Sequence, residues 1–159
     1  MNGGSSSAFA AAAREIIEAN LYLVLGTADE TGRPWVSPVY FAVEGYRHFY
    51  WVSSPEATHS RNIATRPDIS IVIFDSRAPI GAGQGVYMPA VAEEVARDDI
   101  EHGIGVFSDR SLGHGGIPWT VEDVRGEALL RLYRATASEH SMLAKDGSPD
   151  HRITVDLTS

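Results

Sequence analysis

The densest group of side chains suited to chemistry lies between Trp51 and Pro67, in the stretch WVSSPEATHSRNIATRP. An apolar run ends there in two hydroxyl residues, Ser53 and Ser54, and five residues after Ser53 comes Thr58-His59-Ser60-Arg61. The second group sits where the pattern predicts the start of a helix, with Thr58 as its cap and Pro67 as its stop. Helix N-termini present unpaired N–H groups and a partial positive charge, so they bind anions. Hydroxyls, an imidazole and a guanidinium around such an end suit a phosphate monoester. The same residues also suit an ordinary capped helix with a solvated Arg61. Both readings stand at this level.

Other groups carry less. The run Gly81-Ala82-Gly83-Gln84-Gly85 precedes a strand and lacks the strand–loop–helix order of a dinucleotide site. His48, His59, His102, His114, His140 and His151 include no pair at metal-ligand spacing, so no metal is expected. Glu93 and Glu94 are adjacent on a strand and point to opposite faces, which excludes a carboxylate dyad. Ser60 has no G-x-S-x-G elbow around it. Trp119, beyond the Gly113-His114-Gly115-Gly116 stretch, is read as an aromatic packed on its own domain, with cover for a neighbouring subunit's ligand as the alternative. No residue declares itself a catalytic acid or base, so the catalytic residues are unknown.

The elements that position these residues are mostly strands. Leu21 to Thr27 is a compact apolar run before the turn cluster Asp29-Glu30-Thr31-Gly32, and Pro34 to Val43 alternates. The pattern breaks at Glu44-Gly45-Tyr46 and resumes at His48 to Ser53, as in a meander of hairpins. Ile69 to Phe74 is β-branched and continuous, which predicts a strand buried on both faces. Long strands are expected over Val86 to Val95 and Glu127 to Ala137, and a short one over Arg152 to Leu157. Helices are expected from Phe9, ending at Asn20, and over Asp98 to Phe107, with a capping box at Thr120 and Asp123. Residues 1–7, MNGGSSS, read as a flexible leader, and 8–159 as one domain. About seven strands and few helices predict a mainly β (α+β) fold, a small barrel or sandwich.

Composition narrows the function. With 159 residues, 43% apolar and 21% charged, the chain is globular in composition and long enough for a core without staples. It has no cysteine, which removes thiolate nucleophiles, disulfides and cysteine-ligated metals. Its net charge of −8 disfavours nucleic acid and anionic lipid as partners. No run is long and apolar enough to span a bilayer, and a cytoplasmic protein is expected.

Four stretches, in order, resemble the flavin-binding split-barrel proteins related to pyridoxamine 5'-phosphate oxidase. They are LGTADETGRPWVSPVYFAV, FYWVSS, HSRNIATRPDISIVIFD and GQGVYMPAVAEEV. LYRATASEH and HRITV look like the tail of one subgroup. The resemblance implies a six- to seven-stranded antiparallel split β-barrel with a few short helices. It also implies a homodimer and one FMN per subunit at the interface. Carried over by position, phosphate contacts fall on Ser53, Thr58 and His59, with Ser60 and Arg61 beside them; Ser54 joins the candidates as the second hydroxyl at the strand end. Contacts to the flavin fall on Val39, Tyr40, Val52 and Gln84. The family's basic pair is replaced here by Thr58-His59, and the oxidase's C-terminal substrate segment has no counterpart. The expected activity is therefore flavin-dependent oxidoreduction of a small molecule such as a quinone or enone, and not oxidation of pyridoxamine phosphate. The alternatives are a deazaflavin-dependent reductase of the same fold and a non-catalytic dimeric module that binds flavin or haem.

Overall fold

The computed structural model describes residues 3–158. Its frame is an antiparallel sheet formed by β1 (Tyr22–Ala28), β2 (Pro34–Tyr40), β3 (Ala42–Glu44), β4 (His48–Ser53), β5 (Asp68–Phe74), β6 (Gly85–Glu94) and β7 (Arg131–Ala137). The strand order is β2-β1-β5-β6-β7-β4-β3, curled into a half-barrel. Two further strands, β8 (Ser141–Leu143) and β9 (Arg152–Thr154), hang from β6. Three helices, α1 (Gly3–Ala19), α2 (Thr58–Thr65) and α3 (Ile100–Gly113), pack around the sheet. The split-barrel expectation holds.

The hairpins form where the alternation predicts them. β1 and β2 pair from Tyr22↔Tyr40 to Ala28↔Pro34, and the Asp29 carboxylate closes their turn by accepting from the Thr31 and Arg33 N–H groups at 2.9 Å. The turn from β3 to β4 runs through Gly45 and Tyr46 at φ 60° and 56°, the left-handed pair that matches the twist of a two-stranded ribbon. Tyr46 then donates to the Glu18 carboxylate, which ties α1 to that turn.

Three expectations are corrected. Helix α1 begins at Gly3, so residues 3–7 are not a flexible leader. Ser5, Ser6 and Phe9 line a hollow together with Ile153 and Thr154 of β9. β5 is buried on one face only: Ile69, Ile71 and Ile73 point inward, while Ser70, Val72 and Phe74 point out. β7 starts at Arg131 instead of Glu127, because the Arg131 guanidinium caps the preceding turn through the carbonyls of Gly126, Ala128 and Leu130. Phe41 and Met88 are fully buried in this chain's own core.

Two apolar clusters result. The larger fills the barrel with Leu23, Leu25, Phe49, Trp51, Ile71 and Met88 among others. The smaller lies under α3 and joins Tyr50 and Leu132 to Ile104, Phe107 and Val124. At Gly103 a Cβ would stand 2.8 Å from Tyr50 Cε1 and 2.9 Å from Leu132 Cδ2. A Gly103→Ala variant must push the helix off the sheet, and overpacking of this kind costs about 1–3 kcal/mol. Its thermal unfolding midpoint is expected to fall by several degrees, whereas Gly105→Ala, with open space at its Cβ, should match or exceed the parent.

Candidate active site

The open end of the sheet holds a cleft of about 610 Å³, within the range of roughly 300–1,000 Å³ usual for small-molecule sites. Leu21, Tyr22, Val39, Tyr40 and Val52 form one wall, and Phe107, His114 and Trp119 the other. Ser53 and His59 close one end. Most of this surface is apolar or aromatic, and no lysine or arginine lines it.

Ser53 and His59 meet by construction. Ser53 is the last residue of β4, and α2 begins five residues later. The Ser53 hydroxyl and His59 Nε2 are 2.9 Å apart. The helix is held in place from its other face by Asn62, whose buried amide donates to Thr27 Oγ1 at 3.1 Å, while Thr27 in turn donates to the Trp35 carbonyl at 3.3 Å. Leaving such a buried amide unpaired costs about 1–3 kcal/mol, so the relay fixes the position of α2 against β1 and β2. The cap of α2 is Ala57 and not Thr58, and no side chain caps the helix. Thr58 is the first helical residue and is exposed. A helix start without a side-chain acceptor leaves its first-turn N–H groups free for an oxyanion. Those donors and the Ser53 hydroxyl fit a phosphate.

The predicted cradle does not stay together. Ser54 accepts from the Glu56 N–H at 3.1 Å and serves the turn itself. Ser60 and Arg61 face a separate hollow of about 420 Å³ behind α2, lined also by Glu93 and Tyr133. Arg61 is paired with Glu56 on the surface and supplies no charge to the cleft. Gln84 is remote from it. Its amide donates to the Leu143 carbonyl at 3.0 Å and accepts from the Leu143 N–H at 2.9 Å, which clamps β8 to the start of β6. Val39, Tyr40, Val52, Ser53 and His59 do converge.

His114 is the residue that sequence reasoning missed. Its Nδ1 is 2.7 Å from the Tyr40 hydroxyl, 74 residues away. Tyr40 is buttressed edge-on by Phe107, with centroids 5.6 Å apart, and Trp119 packs edge-on against the same Phe107 ring. Trp119 thus lies on its own domain, as expected. Burial raises the Tyr40 phenol above its usual pKa, against the opposing pull of Arg110 beside it. The Gly113-His114-Gly115-Gly116 stretch was the available signal, because so many glycines beside one histidine imply a backbone shaped to place it.

These features define a small-molecule cleft on a split-barrel sheet, with an anion-compatible end and an aromatic body. The family model described as pyridoxamine 5'-phosphate oxidase matches residues 9–144, and the chain belongs to that family. No curated protein matches it. Among solved structures, a heme binding protein from Mycobacterium smegmatis is similar at TM-score 0.71 and 21% identity, over 94% of this chain and 59% of that one. This chain therefore spans less than two thirds of that relative. HutZ, the heme storage protein from Vibrio cholerae, is 25% identical over 79% of this chain and 87% of its own, with TM-score 0.62. A Clostridium acetobutylicum protein of the pyridoxinephosphate oxidase family, related to general stress protein 26, aligns over 96% of this chain and 98% of its own. Its TM-score is 0.64 and its identity 15%.

Among the described residues no group of three or more histidine and carboxylate side chains is placed to hold a metal ion, and no helix is long and apolar enough to cross a membrane. Burial alone lowers the His59 pKa below the ordinary 6.5. A lowered value means that the unfolded chain binds the proton first as pH falls. The contribution of His59 to stability is complete above about pH 6.5 and declines as pH falls toward its folded pKa. An NMR titration of the imidazole is expected to place His59 below 6.5, and Ser53→Ala should leave that direction unchanged because desolvation causes it.

Proposed function

We propose that the cleft binds FMN and that the protein is a flavin-dependent oxidoreductase acting on a small molecule. The observation that carries this reading is the junction of Ser53, His59 and the uncapped start of α2 at one end of an aromatic cleft. Ser53 Oγ and the first-turn N–H groups would hold the phosphate. Val39, Val52 and Tyr40 would line the ring and exclude water from one face, since they are the cleft's ordered apolar wall. When bound, the flavin supplies the hydride or electron chemistry. The donors at the phosphate end are neutral, because burial favours uncharged His59 and Arg61 is committed to Glu56.

A second copy of the chain would complete the cleft. Leu21, Tyr22 and Ile117 around its mouth, Leu129 next to its lining residue Leu130, and Trp35 and Val36 on the edge strand β2 are exposed large apolar groups that a lone domain leaves in water. A homodimer with the cofactor at the interface covers them. Light scattering is expected to return twice 17.2 kDa.

The phosphate assignment is tested by comparing FMN with riboflavin, which lacks the phosphate. One neutral hydrogen bond is worth about 0.5–1.5 kcal/mol, so Ser53→Ala should weaken FMN roughly two- to tenfold and leave riboflavin unchanged. Arg61→Ala should have little effect on either. Equal losses for both ligands, or an Arg61 effect larger than the Ser53 effect, would overturn the placement of the cradle.

A haem site is the second reading, favoured by two imidazoles, His59 and His114, in one apolar cleft and by the likeness to HutZ. A neutral imidazole is a metal ligand. Titration with haemin separates the readings: a shifted Soret band lost in His59→Ala or His114→Ala supports haem, and flavin binding without it supports the oxidoreductase. Titration with deazaflavin beside FMN decides between the two flavins.

A further inference from the structure

We infer that His114, held by Tyr40, is a specificity-determining hydrogen-bond donor that receives the carbonyl oxygen of a conjugated ring, a quinone or enone, in the cleft. This assignment rests on reading the cleft as a small-molecule redox site, and it names the chemistry of the molecule that site accepts.

The placement of His114 is built into the backbone. It follows the last turn of α3, where its N–H donates to the carbonyls of Arg110 and Ser111 at 3.1 Å. Gly115 beyond it has φ 78°, a conformation that a side chain disfavours. At Gly116 a Cβ would stand 2.5 Å from Ser111 Oγ, which donates to the Ile117 carbonyl at 2.8 Å, and the Gly116 N–H donates to the Ser111 carbonyl at 2.8 Å. Backbone conformation calls for glycine at 115 and the close approach of Ser111 calls for it at 116, and the loop delivers one imidazole into the cleft wall.

The partners of Tyr40 decide which nitrogen carries the proton. The phenol has one proton, and Arg110 lies beside it as a positive charge with donors only. With the phenol's lone pairs drawn toward that charge its proton faces the imidazole, so in the proposed arrangement Tyr40 donates to Nδ1 and His114 carries its ring proton on Nε2, which the 2.7 Å contact allows. Among the described residues Nε2 has no hydrogen-bond partner, and the residue lines the cleft. A fixed N–H donor on an otherwise aromatic wall selects a flat molecule with an acceptor at one edge. It discriminates against the same ring without oxygen, because water must leave the N–H for nothing in return. Arg110, the cation beside Tyr40, is turned to the carbonyls of Ile17, Glu18 and Asn20 and does not line the cleft, so a neutral carbonyl is the fitting acceptor at this end.

The test uses the full chain with 1,4-naphthoquinone and with naphthalene as the carbonyl-free control. The absence of cysteine removes thiol addition to the quinone as a complication. In nitrogen-labelled protein, the His114 spectrum is expected to show an Nε2–H tautomer whose Nε2 resonance moves with naphthoquinone and not with naphthalene. By calorimetry His114→Ala should weaken naphthoquinone about three- to tenfold and leave naphthalene unchanged. His114→Gln, which retains an N–H donor, should recover part of the loss. Tyr40→Phe should mix the two tautomers and give an intermediate loss. An Nδ1–H tautomer in the parent, an unmoved Nε2 resonance, equal losses for both probes, or no naphthoquinone binding would each overturn the assignment. A parallel loss of FMN and riboflavin in His114→Ala would also overturn it, by giving the carbonyl to the cofactor's own ring. If the parent chain binds no flavin, the proposed cofactor fails, and the two-probe comparison still decides the role of His114.

Discussion

The cleft exists because α3 lies directly on the paired strands β4 and β7, and that approach is possible only where residue 103 lacks a side chain. Gly103 brings the helix axis close enough for Ile104 and Phe107 to fill the space beside Tyr50 and Leu132. Phe107 then becomes the common support of Tyr40 on one side and Trp119 on the other. The loop that carries His114 departs from the end of the same helix. One close contact in the middle of α3 thus sets the distance between both walls of the site. A helix displaced outward would keep the fold and lose the geometry.

Electrostatics at the site follow from where the cations are spent. Arg131 holds three carbonyls of its own turn, Arg134 pairs with Glu93, Arg61 with Glu56, and Arg110 lies over the Phe41 ring, 4.7 Å from its centroid. The cleft is left with neutral donors in a chain of net charge −8. Such a site does not attract anions from a distance. It recognises one after contact, through directed N–H and O–H groups, and this suits a ligand whose larger part is a flat apolar ring. Family relatives that keep a basic pair at the positions of Thr58 and His59 would hold a phosphate by charge; in the reading proposed for this chain the anion would be held by geometry.

Most of the sheet is legible in the sequence because its signals are local. Alternation over Pro34–Tyr40, the Asp29 turn and the Gly45-Tyr46 break each need only neighbouring residues to be read. The Thr120–Asp123 capping box is local too, with the Thr120 N–H 2.8 Å from Asp123 Oδ2. What escaped depends on distant partners. Residues 3–7 are helical, with Ser5 and Ser6 in a hollow shared with β9; Gln84 is engaged by Leu143 across 59 residues, and Tyr40 meets His114 across 74. The cradle was half legible for the same reason. Ser53 and His59 are close in sequence and meet, but a helix turns 100° per residue, so Ser60 and Arg61 rotate away to a different hollow.

The same geometry bears on which flat prosthetic group the proposed cleft would accept. The sheet and α3 supply two apolar walls that suit any large flat ring, and the similarity to the Mycobacterium smegmatis protein extends to that frame alone at 21% identity. Discrimination must come from the ends of the cleft, where the sequence is free to vary without disturbing a strand register. At one end an alanine cap exposes the N–H groups of α2, which favours a tail with an oxyanion. At the other, His114 and two glycines occupy a loop whose residues are outside the two core clusters, so His114 can change without cost to the barrel. A porphyrin would have to place its iron within reach of an imidazole already committed to Ser53 or Tyr40, breaking a hydrogen bond of 2.9 or 2.7 Å or using the opposite nitrogen. A ring with an edge carbonyl and a phosphorylated partner uses both ends as they stand, with every existing bond intact. That difference in reorganisation is the physical reason for favouring the flavin reading of the cleft.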